Sequence, residues 1–536
     1  MMMAQSALDA YQLGQNDLRG TARFMSMGGA FTALGGDLSS IHLNPAGIGV
    51  YRSSEVGATL DINIQSAKSE TPGVSMSRDQ TKVNCNNFGY VGSISLGSGS
   101  TMPFFNWGAS YSRVASFDRA YSGDFNSLPT SLTNYVAANT TLAGGWTPSV
   151  LDGYTPGYNP YQQSAAPWMS ILMYNAYGIN PLAPHNSNCD AYQGLFGDAT
   201  QGIGAFDVVE KGYVDEYAIS FGGNVLNTVY WGVGFGITDI SYTSQTYWGE
   251  SMKNALVPNP AADGVEPGDA SLALQSYKHI WGTGFNFKAG VIVRPINELR
   301  IGLAIHTPTW YNLSYQGYAQ AGYNYPTTGY NQTWIDTDEG YLDEFDWKYR
   351  SPWRLTVGAA GVIGGKGIIS LDYEYRACQA MNVKDRHGNT YNNIDEDIDN
   401  YYRASNIVRL GGEYRLTDNW SVRAGYAYES SPVTDGASSG DQIVYTDGPD
   451  LTETQPSYSF DRTTQHISCG VGFHYKNFYA DAAYVHKIRK STYHAFDTFD
   501  VNYLEDQSVP AAYAATPIAD ITNHNNSIVL SVGFRF

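Results

Sequence analysis

From residue 53 to the end, apolar and polar side chains alternate with a period of two, the pattern of strands with one apolar face. Val56, Ala58, Leu60, Ile62 and Ile64 share one face, and Glu55, Thr59, Asp61 and Asn63 share the other. Leu299, Ile301, Leu303 and Ile305 alternate with Arg300, Gly302, Ala304 and His306; Trp353, Leu355 and Val357 alternate with Arg354, Thr356 and Gly358. The same holds for Ile369 to Tyr375 and for Val408 to Tyr414. A soluble antiparallel sandwich also alternates. Here the polar face carries both signs of charge: Arg300, Arg354, Asp372, Glu374, Arg376, Arg409, Glu413, Arg423, Asp481 and Arg489. That suits a hydrated lumen whose charges pair with one another.

The connections are asymmetric. Short turns fall at Arg294–Glu298, Gly364–Gly367, Leu416–Asn419 and Lys476–Asn477. The intervening segments 66–86, 118–213, 247–273, 319–345, 379–403, 431–458 and 493–523 read as long polar loops. Short turns on one side and long loops on the other mark a transmembrane antiparallel β-barrel. The count is about fourteen strands, the even number typical of bacterial barrels. Both chain ends then lie on the periplasmic side and the long loops outside. In the last strand Ile528, Leu530, Val532, Phe534 and Phe536 form one apolar face running to the terminal residue. An alternating strand ending on Phe is what outer-membrane insertion reads, so Phe534 and Phe536 are the expected insertion signal.

Before the strands comes a different kind of sequence. Gly20 to Val50 is rich in glycine, alanine and serine, and small residues permit close backbone packing. Met25–Ala33 predicts a short helical turn stopped by Gly35-Gly36, and Asn44-Pro45-Ala46-Gly47 predicts a rigid turn.

Composition sharpens this picture. Charged residues are 15% of the chain, below the quarter usual for soluble domains, and aromatics reach 14%. The net charge of −19 argues against nucleic acid and fits acidic loops bridged by divalent cations to lipopolysaccharide and other outer-membrane lipid. No apolar run is long enough for a membrane helix. Met1 to Ala7 lacks a charged and apolar signal, so the signal is read as removed or reduced to its cleavage end near Ala4. Cys85, Cys189, Cys378 and Cys469 have no zinc spacing. Cys85 and Cys189, both in predicted outer loops, could pair in an oxidising envelope. Cys469 falls on the lipid face as a small hydrophobe.

With these residues the chain resembles the FadL/TodX family of outer-membrane transporters for hydrophobic compounds. The resemblance rests on Ala22-Arg23, Gly28-Gly29-Ala30, Asp37 and Asn44-Pro45-Ala46-Gly47, and on an even barrel closing at Phe536. It implies that residues 1–52 form a hatch plugging a fourteen-stranded barrel of residues 53–536. Arg23, Gly28, Gly29, Asp37, Asn44, Pro45 and Gly47 then belong to the hatch and its gating. It also implies uptake of a hydrophobic ligand such as a long-chain fatty acid: capture by the outer loops, entry into an apolar pocket in the barrel, hatch movement and exit sideways through the wall. The chain departs from the family by its long segment 118–213.

Within that segment Trp168, Met169, Ile171, Leu172, Met173 and Tyr174 make an unusually apolar run. It reads either as a ligand-capture surface or as a short helix closing the barrel mouth. The acidic group Asp395, Glu396, Asp397 and Asp399 reads as a solvated loop in preference to a calcium site, since it lacks EF-hand spacing. The ten histidines are scattered, and no nucleophile–base motif points to an enzyme. No catalytic residue, metal or cofactor is expected. The second functional reading is a barrel of this type serving as an interaction subunit of a larger outer-membrane or secretion assembly, with other envelope proteins docking on 118–213.

Overall fold

Strand formation continues well beyond the stretches that alternate most clearly. The computed structural model describes residues 7–97, 99–259, 264–341, 343–439, 452–504 and 512–536. It is a closed barrel of fourteen antiparallel strands. In chain order these are β1 (Glu55–Thr71), β2 (Val74–Ser95), β3 (Phe104–Ser116, continued as Arg119–Phe125), β4 (Gln201–Val225), β5 (Val229–Asn259) and β6 (Gly264–Ile296). They are followed by β7 (Leu299–His306, continued as Trp310–Tyr325), β8 (Asp343–Arg350, continued as Arg354–Ile363) and β9 (Gly367–Arg376, continued as Asn382–Asp385). The last five are β10 (Ser405–Arg415), β11 (Trp420–Glu429), β12 (Tyr458–Tyr475), β13 (Phe478–His494) and β14 (Ile518–Arg535). β14 pairs with β1 from Arg535↔Glu55 to Asp520↔Glu70, which closes the wall.

About ten tilted residues cross a membrane, yet β5 has 31 residues and β6 has 33. Both hairpins therefore run far past the bilayer. The side-chain pattern marks where they leave it. On β5, Val233, Phe235 and Ile237 point outward, and Ile237 is 51% exposed. Three residues later Ile240 is 1% exposed, and Tyr242, Trp248 and Met252 follow it inward. β4 changes between Tyr217 and Val214, and β6 between Phe285 and Ile280. Below the change the apolar residues face lipid and above it they face the interior, because a period of two lets one residue of phase shift exchange the faces.

Several predicted loops are therefore strands. Segment 66–86 is the outer half of the β1–β2 hairpin, joined at Pro72-Gly73, and 247–273 is largely the β5–β6 hairpin. Their outward face is polar because it meets water, which is why they read as loops. Segment 118–213 contains wall at both ends and, between them, α1 to α4 of a cap: α1 (Leu132–Ala143), α2 (Pro148–Leu151), α3 (Pro160–Gln163) and α4 (Trp168–Asn175). The acidic stretch of 379–403 is not a solvated loop but helix α5 (Asn392–Tyr401), which buries Ile394, Ile398 and Tyr401 at helical spacing. Parts of 431–458 and 493–523, and the signal remnant near Ala4, lie outside the described residues.

Cys85 is not in a loop. It lies on β2 pointing outward, while Cys189 is buried in the cap, and both are free thiols. Cys469 is exposed on β12, on the outward face.

Candidate functional site

Residues 7–50 run inside the barrel. A helix over Ala7–Leu13 sits high, where Ala7, Ala10 and Leu13 pack with Ile240, Ile280, Trp347 and Tyr402. The chain then descends through three short turns: Ala22–Ser26, Leu38–Leu43 and a 3₁₀ turn over Pro45–Val50. The first helix ends at Met27, followed by Gly28 and Gly29 at φ of 61° and 75°, so the predicted Met25–Ala33 turn starts and stops earlier than expected.

Two of the three turns are capped by residues singled out from the sequence, Asp37 and Asn44. Asp37 accepts from Ser39 N at 2.9 Å and from Thr21 Oγ1 at 2.8 Å, and so ties the first turn to the second. Thr21 in turn caps Phe24 N at 3.1 Å. Asn44 Oδ1 accepts from Ala46 N at 3.0 Å, and its Nδ2 donates to Thr32 O at 2.7 Å. Pro45 occupies the first position of its turn, where a missing N–H costs nothing. Gly47 is pressed against Ser40 and Gly35, leaving no room for a side chain.

The wall makes space for this segment with glycines that lie side by side across strands. Gly222↔Gly232↔Gly290 spans β4, β5 and β6; Gly302↔Gly358 spans β7 and β8; Gly411↔Gly425 spans β10 and β11. A Cβ at Gly232 would strike the Pro45 carbonyl, and one at Gly425 would strike Met27 and Gly28. The packing is backbone against backbone.

Hydrogen bonds and ion pairs then fix the register. Arg23 holds Glu413 with two bonds of 2.9 and 3.1 Å, and Arg423 bridges Glu413 to Asp481 at 2.6 Å each. Asp372 accepts from Thr32 N at 2.8 Å and Thr32 Oγ1 at 2.7 Å. Four wall side chains donate to carbonyls of the segment: Arg300 to Leu34 (2.7 Å), His306 to Leu43 (2.8 Å), Asn106 to Ile48 (2.7 Å) and Ser468 to Ser26 (3.0 Å). His42 contacts Glu216 at 2.9 Å, and Glu216 is also paired with Lys288. Arg23 thus reaches a lumen charge, whereas Asp37 works within the segment. Asn106 and Ser468 were not singled out from sequence. Their signal was only a small polar residue on an inward strand position.

Beside the segment lie small cavities of about 30 to 50 Å³ each, lined by both polar and apolar side chains. One is lined by Asn16 to Gly20, by Ser112 to Val114 on β3, and by Arg354, Arg376 and Arg409 opposite. Those three arginines surround the fully buried Glu374, and Arg409 Nη1 is buried without a protein partner. These spaces are far below the roughly 300 Å³ that a drug-sized ligand occupies. The apolar pocket expected inside the barrel does not correspond to them.

The wall weakens next to the Ser112–Val114 cavity. β2 and β3 pair from Ser95↔Phe104 to Asn87↔Ser112. Above that point, among the described residues, β3 pairs only with β4 and β2 only with β1. Side chains span the gap: Arg113 to Asn84 at 3.0 Å, Lys82 to Asp118 at 3.3 Å, and Arg78 with Asp207. Val83 and Cys85 point outward beside it, which places the start of the gap at the level of the apolar belt.

The outer mouth is closed. Trp168, Met169, Ile171, Leu172 and Met173 are buried and Tyr174 is half-buried, in a cluster with the helix Leu132–Ala143 and wall residues such as Phe206, Trp248 and Leu272. Tyr325 on β7 donates to Ala176 O at 2.9 Å and pins the end of that helix. In this arrangement the run forms part of a lid and presents no open surface.

No protein-family model and no curated protein matches the chain. Among solved structures it is similar to a Pseudomonas aeruginosa FadL homologue at 14% identity, over 98% of this chain and 100% of that one, with a TM-score of 0.50. It is also similar to the Pseudomonas putida toluene transporter TodX (12% identity, 97% and 99% covered, TM-score 0.49) and the Ralstonia pickettii toluene transporter TbuX (14%, 97% and 99%, 0.43). The shared fold is read from the first of these.

Proposed function

We propose that this barrel is an outer-membrane channel for passive uptake of a hydrophobic ligand. The solved structure from which the shared fold is read is that of a Pseudomonas aeruginosa FadL homologue. The observation that carries the reading is the adjacency of a cavity beside the inner segment to unpaired wall between β2 and β3 at belt height, in a barrel whose mouth is closed by an apolar lid. An apolar molecule gains about 25 cal/mol for each Å² it buries, so a route from apolar lid to lipid through the wall avoids returning it to water. The structure is then a closed state. Passage requires the Trp168–Tyr174 helix to part from its cluster and residues 20–50 to shift. The inner segment could move as a unit, because much of its seat is glycine against backbone, with only small apolar clusters holding it to the wall. Arg409 offers a buried Nη1 on the cavity, without a partner among the described residues, to an acidic headgroup such as that of a long-chain fatty acid.

The test is deletion of Gly20 to Val50. The barrel should still insert, should leak small polar solutes, and should lose selective uptake of hydrophobic ligand. A deletion mutant that stays impermeable with uptake unchanged would remove the gate from the account. The interaction-subunit reading would then take its place.

A further inference from the structure

We infer that the outer face of the extramembrane barrel carries a binding groove for a neutral oligosaccharide chain. The site lies well away from the uptake path and does not depend on it. Across five neighbouring strands one row of outward positions runs Asp124↔Ala205↔Gly249↔Ala273↔Gly322, on β3, β4, β5, β6 and β7. Four of the five are alanine or glycine, giving a row about 19 Å long at the usual strand spacing that is open at Ala205 and Ala273 and covered by the Tyr247 ring at Gly249 and by the Thr333–Trp334 backbone and ring at Gly322. The row lines a trough in a cavity of about 670 Å³, more than ten times larger than those beside the inner segment. It sits twelve residues beyond Ile237 on β5, about 40 Å along the strand from the last lipid-facing side chain.

One end of the trough is built by a β-bulge. The short strand Tyr330–Asp336 pairs with β7 at Ile335↔Ala321 and at Gln332↔Tyr323, leaving Thr333 and Trp334 opposite the single residue Gly322. Bulges re-aim side chains, and this one brings the Trp334 ring to the trough. Gly322 is required there, because a Cβ would collide with the Thr333 carbonyl. Further along, the Tyr247 side chain folds over Gly249, its hydroxyl 2.5 Å from where a Cβ would stand. The rims carry Ser251, Ser271, Asn324 and Asn331.

The lining selects the ligand class. It contains no lysine, arginine or histidine, so a phosphate or carboxylate would be left without a counter-charge. Glu250 is turned inward onto Leu132 N (2.8 Å) and Trp248 Nε1 (2.7 Å), which leaves Asp124 as the exposed charge. Strand addition of a peptide over the central floor is blocked, because β4, β5, β6 and β7 are paired on both edges there. What remains is a linear, uncharged, hydroxyl-rich chain. Its C–H faces would meet Tyr247 and Trp334, and its hydroxyls would meet amides and serines that both donate and accept.

The experiment titrates the full chain in detergent micelles with maltohexaose, chitohexaose and an acidic hyaluronan hexasaccharide, read by calorimetry. At least one neutral hexasaccharide should bind saturably and the acidic one should not. Trp334→Ala, which removes a ring, and Ala273→Leu, which fills the trough, should each weaken binding about tenfold or more. Each variant is to be used only if its barrel keeps the wild-type thermal transition. If either fails, Asn331→Ala on the exposed rim replaces it. Absence of neutral binding, preference for the acidic sugar, or affinities unchanged in both variants would overturn the proposal. Repeating the titration in nanodiscs with full-length or glycan-truncated lipopolysaccharide separates two sources of the sugar. Weaker binding in the full-length discs means that the cell's own glycan occupies the groove, and equal binding means that a free oligosaccharide does.

Discussion

The belt and the outer barrel are made from the same strands and obey opposite rules. In the belt, Val233, Phe235 and Ile237 of β5 face out, and the interior is glycine, charge and amide. In the outer barrel, Tyr242, Trp248 and Met252 of the same strand face in, and the exterior is serine, threonine and tyrosine. The belt holds only small apolar clusters, such as Phe24, Met27, Phe31 and Leu34 of the inner segment against Ala360, Val485 and Val529, because lipid covers most of its apolar surface. The outer barrel stands in water and must build a core as a soluble protein does, from the cap helices and the inward aromatics. A strand's apolar face therefore reports its surroundings, not its place in the fold.

The sharpest way to break this comparison is at the end of the chain. Deleting Phe534 to Phe536 removes outward apolar residues of the belt and part of the β14–β1 seam. It should abolish assembly into the membrane, measured as the level of heat-modifiable barrel. Normal levels would separate the outward apolar face from insertion. The next test maps the boundary between the two regions. Val233→Arg places a charge in the middle of the lipid face and should cost about 2–4 kcal/mol. Ser241→Arg, eight residues further on the outward side and beyond the last lipid-facing residue Ile237, should cost less than about 0.5 kcal/mol, as for an ordinary surface change. Denaturant unfolding in lipid vesicles distinguishes them, and equal losses would move the membrane edge outward.

The smallest effect expected is in the outer barrel. Burial raises the Asp397 carboxyl on helix α5 to about 6, with Glu396 adding to the shift and the Tyr401 hydroxyl bond opposing it. A carboxyl raised in the folded state binds its proton more tightly there than when unfolded, so stability falls as pH rises from about 4 to about 6 and is level above. Asp397 is half-exposed, so the cost at neutral pH should stay below about 1 kcal/mol. Asp397→Asn should flatten that slope in thermal unfolding. A slope unchanged by the substitution would assign it to other groups.

The belt was legible in the sequence and the outer barrel was not, for one physical reason. Ile301, Leu371 and Leu410 alternate with glycine, serine or charge, a contrast that only lipid on one side produces. Above the belt the contrast fades: β6 reads Leu272, Leu274, Ser276, Lys278 and Ile280 inward against Ala273, Gln275, Tyr277 and His279 outward, with polar residues on both faces. Such stretches resemble loops by composition, although the period of two is still present. The phase shift between Ile237 and Ile240 was visible and was the missed clue. In the candidate site, capping chemistry made Asp37 and Asn44 readable. Which lumen charge Arg23 would meet was not, because Glu413 lies 390 residues away and only the closed wall brings it near.

The position of the inner segment constrains the order in which this molecule can be made. Residues 7–50 precede every strand, touch β5, β7, β10, β11 and β12 at once, and are sealed in by the pairing of β1 with β14, the last strand synthesised. A wall that closed first would have to admit a folded thread through a lumen lined by Arg23–Glu413, Asp372–Thr32 and the glycine seats. Gathering the thread while the sheet is still an open ribbon, with the final seam shutting around it, avoids that step. In the barrel lacking Gly20 to Val50, a peptide of that sequence supplied after assembly should accordingly leave the leak in place. The inner segment is then an ingredient of assembly as well as a part of the finished barrel.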